Sequence, residues 1–165
     1  MKKISMIVLT VLTFGMTSCD MDKMPYDAIP AEEALTTIVG FEEARAGIYS
    51  VYLGLTGGSY VLAPEVQADA FNAVADFSNK YGELHRWTFE STNSTVETIW
   101  ANCYAAIGRA NFFIDGVGKI DENPEIELTE IQKQQINVYE GEAYFTRVYC
   151  YFYLATLFCR DYDVA

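Results

Sequence analysis

The sequence predicts an all-α protein, because apolar residues recur at intervals of three and four residues along much of its length. Three stretches carry this period, 41–55, 96–117 and 130–159, and each is bounded by residues that commonly begin or end helices. The segment between the first two long helices, 59–93, has no sustained period and predicts a loop-rich connection. With 165 residues, the chain is long enough for one domain with a real core.

The first 18 residues predict a secretory signal peptide. Lys2 and Lys3 precede a mostly apolar run that is too short to cross about 30 Å of hydrocarbon as a helix. Small polar residues then lead to Cys19, in a pattern that resembles a bacterial lipoprotein box with Met16 in place of the common Leu. We therefore expect lipidation of Cys19 and an essentially permanent membrane anchor. The alternative is ordinary secretion with an incidental cysteine.

Residues 19–38 predict a lipidated tether between this anchor and the folded part. The stretch DMDKMPYDAIPAEEA at 20–34 is polar, contains two prolines and has no apolar period. The remaining residues, 39–165, are expected to form one helical domain.

The first long helix is predicted from the stripe of partly apolar residues Phe41, Arg45, Ile48, Tyr52 and Leu55. The pair Gly57–Gly58 predicts its end. In the loop-rich segment that follows, residues 63–77 favour a short helix, and LHRWTF at 84–89 favours a short strand.

The second long helix is predicted to begin with a capping box, because Glu97 follows Ser94 by three residues. Its apolar stripe then repeats without a miss through Val96, Trp100, Cys103, Ile107, Ala110, Ile114 and Val117. This position predicts that Trp100 belongs to the core rather than to a ligand platform. Gly116 and Gly118 predict the end of the helix.

The third long helix is predicted to begin after Thr129, which forms a second capping box with Gln132. From Ala143 onward the helix is apolar almost all round, with Arg147 as the one charge before its end. A helix that is apolar on every side is normally buried on every side. We therefore expect further helices to enclose it, and the 165-residue chain alone to expose aromatic surface there.

The run YFTRVYCYFYLATLF at 144–158 is predicted to be neither a membrane span nor an aromatic binding strip. It is shorter than the roughly 20 apolar residues that a span requires, and Arg147 interrupts it. Its rings are expected to point in several directions around the helix. The guanidinium of Arg147 needs a partner, for which Glu142 and Tyr153 are the candidates.

The charge argues against a nucleic-acid-binding site, and the cysteine and histidine content argues against a metal site. The net charge is −12, and it becomes −14 once Lys2 and Lys3 are removed, because 9 basic residues then stand against 23 acidic ones. Such a surface repels phosphate backbones, so we expect no nucleic acid partner.

The cysteines other than Cys19 are Cys103, Cys150 and Cys159. They are odd in number and lie in apolar patterns, which predicts small buried hydrophobes rather than a closed disulfide framework. With His85 as the single histidine and no Cys-x-x-Cys, no metal site is predicted.

Two helical motifs resemble the SusD/RagB family. The first, W-x₃-Y-x₂-I-x₂-A-N, is formed by Trp100, Tyr104, Ile107, Ala110 and Asn111. The second, GEA-x-F-x-R, is formed by Gly141, Glu142, Ala143, Phe145 and Arg147. Members of this family are surface lipoproteins of Bacteroidetes that capture glycans or other nutrients with a partner TonB-dependent outer-membrane transporter. The resemblance implies a lipid-anchored outer-membrane protein that faces the exterior.

The resemblance also implies a fold, an all-α scaffold of tetratricopeptide-like helix pairs. Family members run to several hundred residues, and Cys159 stands where they have a glycine before continuing. Residues 39–165 are therefore expected to be a SusD-like N-terminal helical domain, truncated at its C-terminal end and with an incomplete superhelical scaffold.

No catalytic constellation is present in the sequence, so we expect a binding protein rather than an enzyme, and no cofactor. Sugar binding requires exposed aromatic faces flanked by planar hydrogen-bonding groups. The best candidates lie in the 79–93 segment and are Asn79, Tyr81, Arg86 and Trp87. The alternative for Trp87 is that its ring packs against Phe89 or the scaffold. The alternatives for the whole chain are a lipid-anchored helical-repeat adaptor that binds proteins and a non-functional truncated fragment.

Overall fold

A computed structural model describes residues 29–74, 79–124 and 126–160, which form six helices and no strand. In chain order the helices are α1 (Ala31–Ala34), α2 (Ile38–Leu55), α3 (Ser59–Gln67), α4 (Gly82–His85), α5 (Ser94–Gly118) and α6 (Glu130–Phe158). All of them belong to the compact unit Ala31–Ala165. The all-α prediction is confirmed for this part of the chain. The predicted signal peptide and Cys19 lie outside the described residues, whereas α1 falls inside the predicted tether.

Helix α2 begins three residues before the predicted stripe, at Ile38, and ends at the last residue of that stripe, Leu55. The side chain of Thr37 accepts a hydrogen bond from the backbone N–H of Gly40 at 3.2 Å, which caps the first turn. The helix ends at Leu55, and Gly58 then adopts a φ of +58°, a conformation that glycine reaches without steric cost. Three residues of the predicted stripe are buried: Phe41, Ile48 and Leu55.

Helix α5 is capped by Asn93, so the predicted Ser94–Glu97 capping box is wrong. The Oδ1 atom of Asn93 accepts hydrogen bonds from the backbone N–H groups of Thr95 at 3.0 Å and Val96 at 3.4 Å. Because the amide already satisfies these two N–H groups, Ser94 is free to lie in the first helical turn.

The buried face of α5 is shifted from the predicted stripe. It consists of Ile99, Cys103, Ala106, Ile107, Ala110, Phe113 and Gly116. Small residues face inward because neighbouring elements approach closely: a Cβ added at Gly116 would lie 2.2 Å from Cδ1 of Leu35. The large ring of Trp100 is displaced to the rim, where it is 45% exposed. The prediction that Trp100 belongs to the core is therefore wrong.

Helix α6 begins with the predicted capping box. Thr129 Oγ1 accepts from the backbone N–H of Gln132 at 3.3 Å, and Gln132 Oε1 accepts from the backbone N–H of Thr129 at 2.8 Å. Burial is confined to one face, formed by Ile136, Tyr139, Ala143, Thr146, Cys150 and Leu154.

The opposite face of α6 is exposed. It carries Phe145, Val148, Tyr151 and Phe152, and Phe152 is 67% exposed. The expectation that the 165-residue chain exposes aromatic surface here is confirmed. Among the described residues, no helix has the length and apolarity needed to cross a membrane.

Helices α2, α5 and α6 pack against one another around two groups of buried residues. In one group Phe41 of α2 meets Phe113 of α5 edge to face, with ring centroids 5.6 Å apart. The other contains Cys103 of α5, Cys150 of α6 and Tyr60 of α3. The tetratricopeptide-like pairing of helices stays a prediction.

The loop-rich connection contains α3 and α4, so the short helix expected at 63–77 occurs earlier, at Ser59–Gln67. The strand expected at 84–89 is wrong. Leu84 and His85 lie in α4, and Trp87 has a φ of 56°, which is incompatible with an extended strand.

Candidate ligand-binding site

The backbone of the 79–93 segment adopts left-handed conformations at three of the four predicted site residues. Asn79, Tyr81 and Trp87 have φ angles of 50°, 64° and 56°. Such a conformation costs a residue with a Cβ about 1–2 kcal/mol, so the surrounding contacts must hold it. Backbone strain of this kind clusters at binding and active sites.

Trp87 presents its ring to solvent from a fixed position. Its indole Nε1–H donates to the backbone carbonyl of Gln67 at the end of α3, at 3.2 Å, while the side chain is 66% exposed. The ring also lies beside Phe89, with centroids 6.2 Å apart and planes inclined by 45°. The contact with Phe89 and the exposed face therefore occur together, and the contact supports the ring without covering it.

Asn79 and Arg86 are brought together by the turn that precedes α4. Arg86 Nη1 donates to Asn79 Oδ1 at 3.4 Å, and the guanidinium is exposed. The turn depends on Gly82, because a Cβ at this position would lie 1.9 Å from Asn79 Oδ1. The planar groups of both residues are thus held close to each other.

Tyr81 has a different environment from the other three candidates. Its hydroxyl is 3.0 Å from Oγ of Ser59 on α3, and its half-buried ring packs against the core group around Cys103. The ring also lies under Lys80, whose Nζ is 5.1 Å from the ring centroid. Tyr81 therefore attaches the segment to α3 rather than offering a free ring face.

A polar cleft of about 380 Å³ lies on the same segment and was not predicted from the sequence. It is lined by Glu83, Thr88, Glu90, Thr92, Asn93 and Ser94. Asn93 Nδ2 donates to Glu83 Oε2 at 2.9 Å, so the residue that caps α5 also forms one wall of the cleft. Hydroxyl, amide and carboxylate groups in this arrangement suit a ligand that is rich in hydroxyl groups.

A second cleft, of about 450 Å³, lies between α2 and α6. It is lined by Tyr49, Tyr52, Val138, Gly141, Glu142, Phe145 and Thr146. Phe145, Tyr149 and Tyr153 form a row along α6, with successive centroids 6.3 and 5.9 Å apart. The rings of α6 do point in several directions, but sequence reasoning missed that three of them share this row at intervals of four residues.

One residue that lines the second cleft, Glu142, forms an ion pair with Arg45. Arg45 donates from Nε and Nη2 to the two carboxylate oxygens of Glu142, at 2.5 and 2.9 Å. Its guanidinium also lies over the rings of Tyr139 and Tyr49, at 4.4 and 5.1 Å from the centroids. The hydrogen bond raises the pKa of Arg45 and lowers the pKa of Glu142, so both groups are held in their charged forms.

A family described as starch-binding and associating with the outer membrane matches this chain over residues 24–164. The chain belongs to the SusD-like family. The SusD-like protein P2 of Formosa agariphila is 26% identical to it over 163 residues, which cover 94% of this chain. The chain spans only 29% of the length of that relative. No solved structure matches this SusD-like chain.

The two motifs of this SusD-like chain meet in the structure. Arg147 Nη1 donates to Asn111 Oδ1 at 3.0 Å, and its guanidinium lies 4.9 Å from the ring centroid of Tyr144. Neither candidate partner that the sequence suggested for Arg147 takes this role, because Glu142 binds Arg45 and the Tyr153 hydroxyl donates to the carbonyl of Tyr60. Arg147 and Asn111 therefore join α6 to α5. Within the described part of this SusD-like chain, no three His, Cys, Asp or Glu side chains are grouped to hold a metal ion.

Proposed function

We propose that this chain is the N-terminal scaffold of a non-catalytic outer-membrane lipoprotein that captures a glycan or another nutrient through the 79–93 segment. The single observation that carries the proposal is Trp87, whose exposed ring is held by a left-handed backbone and a hydrogen bond to α3. The family description, starch-binding and associating with the outer membrane, supports the ligand class and the location.

The geometry of the segment suits sugar recognition. A sugar ring stacks on an exposed aromatic face, and planar groups such as those of Arg86 and Asn79 accept and donate hydrogen bonds to its hydroxyls. Because Trp87 is already fixed by the Gln67 carbonyl, little side-chain entropy is lost when a ligand binds.

The location is part of the same proposal. Removal of residues 1–18 leaves Cys19 as the lipidated first residue, residues 19–38 as a tether, and the helical domain at the cell exterior. The captured ligand then passes to a TonB-dependent transporter. Protease treatment of intact cells tests the orientation, since a chain that resists cleavage on whole cells but is cleaved after lysis does not face the exterior.

The ligand site is tested with Trp87→Ala in the full chain, and binding of starch oligosaccharides is measured by calorimetry. We expect the affinity to fall about tenfold, which corresponds to about 1.4 kcal/mol of lost stacking. Phe152→Ala is the matched control, because Phe152 is equally exposed, at 67% against 66%, but lies on α6. Circular dichroism verifies that both variants fold. Unchanged affinity in Trp87→Ala would contradict the proposal.

The exposed apolar face of α6 favours one second candidate, a lipid-anchored helical adaptor that binds a protein. This face carries Phe145, Val148 and Phe152. Under this candidate Phe152→Ala loses affinity for the protein partner, and Trp87→Ala becomes the control that retains it. Neither the parent chain nor either variant then binds oligosaccharide.

A further inference from the structure

Two cysteines from different helices face each other inside the core. Cys103 of α5 and Cys150 of α6 are completely buried, belong to the same group of core residues, and share a hydrogen bond between their thiols. The third cysteine of the described residues, Cys159, is exposed. The expectation of three buried cysteines is thus wrong for Cys159, and the two that remain form a pair.

Helices α5 and α6 pack against each other along the faces that carry the pair, and each cysteine has a small neighbour on its face. On α5, Ala106 follows Cys103, and on α6, Thr146 precedes Cys150. The distance between packed helices is set by the side chains at the contact, so small residues bring the two backbones together. Close backbones are what a disulfide between two helices requires.

We propose that Cys103 and Cys150 are a dithiol–disulfide pair that cross-links α5 to α6 when the chain folds in the presence of a disulfide oxidant. Nothing in the chain's family membership assigns this site. The chemistry does not depend on the proposed glycan binding, although its occurrence in the cell depends on the proposed export to an oxidising compartment.

The exchange needs one external disulfide, of the class of oxidised glutathione or a protein disulfide. The thiolate of either cysteine attacks one sulfur of this disulfide, so a mixed disulfide forms and the first external thiolate leaves. The other cysteine then loses its proton to solvent and attacks the protein sulfur of the mixed disulfide, which forms the Cys103–Cys150 bond and expels the second external thiolate. Two protein thiols are oxidised, and one external disulfide is reduced to two thiols.

Both thiols are completely buried in the folded chain, and buried thiols are inert, so the external disulfide reaches them while the chain folds. Cys159 does not compete as a partner for Cys150, because it follows nine positions later at the end of α6, about 13 Å along the helix axis.

The test uses the full chain carrying Cys159→Ser, which removes the exposed thiol. The reduced protein is unfolded and refolded with oxidised glutathione, and peptides are mapped by mass spectrometry. We expect one linked peptide pair containing Cys103 and Cys150, and a mass about 2 Da below that of the reduced chain. Because the bond closes a long loop, the oxidised form should melt roughly 10 °C above the reduced form. The control, Cys103→Ala with Cys159→Ser, should show neither the link nor the shift.

A second measurement follows the same refolding in time. Samples of the Cys159→Ser chain are quenched by alkylation at successive times after oxidised glutathione is added, and the free thiols are counted. Loss of both thiols together supports the proposal. Glutathione retained on either cysteine without closure overturns it, as does an oxidised form that melts below the reduced one, because either result means that the two helices do not hold the sulfurs in bonding geometry.

Discussion

In the three long helices, α2, α5 and α6, buried apolar side chains fix the backbone, whereas in the 79–93 segment hydrogen bonds fix a backbone that burial alone does not determine. Phe41 and Phe113 meet in the helical core with no exposed surface. In the 79–93 segment only Gly82 and Leu84 are buried. The difference separates two tasks, because the helices supply stability and the segment presents polar and aromatic groups at a cost in backbone strain.

The largest effect is expected from removing a ring in the helical core. Phe113→Ala should lower the free energy of unfolding by about 3–5 kcal/mol, because it deletes a buried ring and leaves a cavity beside Phe41. Chemical denaturation measures the loss. The neighbour Phe112 is 39% exposed, so Phe112→Ala is the matched control and should cost less than about 1 kcal/mol. Equal losses in the two variants would mean that the helical core does not carry the stability.

Two glycine replacements test the same contrast at the level of the backbone. Gly82→Ala should destabilise the chain by about 1–3 kcal/mol, because the new Cβ would lie 1.9 Å from Asn79 Oδ1 and force this side chain away from Arg86. Gly108→Ala in α5 meets no atom within 4 Å and should stabilise the chain by about 0.5–1 kcal/mol.

Thermal melting of both variants shows whether Gly82→Ala destabilises the chain and whether Gly108→Ala stabilises it. If Gly82→Ala were as stable as the parent chain, the turn before α4 would be loose, and the fixed geometry on which the ligand proposal depends would be lost. Oligosaccharide binding by Gly82→Ala then shows whether the Asn79–Arg86 contact matters for the ligand.

The helical region was largely predictable from the sequence, since period and capping are local signals. The stripe of Phe41, Ile48 and Leu55 and the box of Thr129 and Gln132 are both present as predicted. The shift of the buried face of α5 was not predictable from local spacing. Gly116 lies on this face against Leu35, which is distant in the sequence.

The 79–93 segment was predictable in composition but not in geometry. Aromatic and planar groups marked it as a candidate site, yet no local pattern predicts a left-handed conformation at Tyr81 or Trp87. Tyr81 stays a predicted ligand residue, and the contact of its hydroxyl with Ser59, which lies 22 residues earlier, could not be predicted from the sequence. Contacts at that separation depend on tertiary packing rather than on spacing in the sequence.

The smallest effect is expected from the ion pair of Arg45 and Glu142, which lies at the edge of the helical core. The hydrogen bond from Arg45 lowers the pKa of Glu142 below its ordinary value of 4.5. A carboxyl group of this kind contributes stability above its unfolded pKa, and this contribution is lost as the pH falls through the folded pKa. Both side chains are partly exposed, so the contribution is limited to about 1 kcal/mol.

Glu142→Gln removes this titration, so its free energy of unfolding should fall less between pH 7 and pH 3 than that of the parent chain. Urea denaturation at both pH values measures the difference, and Glu43→Gln, an exposed site on α2, should retain the parental dependence. If Glu142→Gln and the parent chain lost equal stability on acidification, the contact with Arg45 would only position the helices. The stability of the helical region would then rest on its apolar core alone, and its contrast with the hydrogen-bonded 79–93 segment would be sharper.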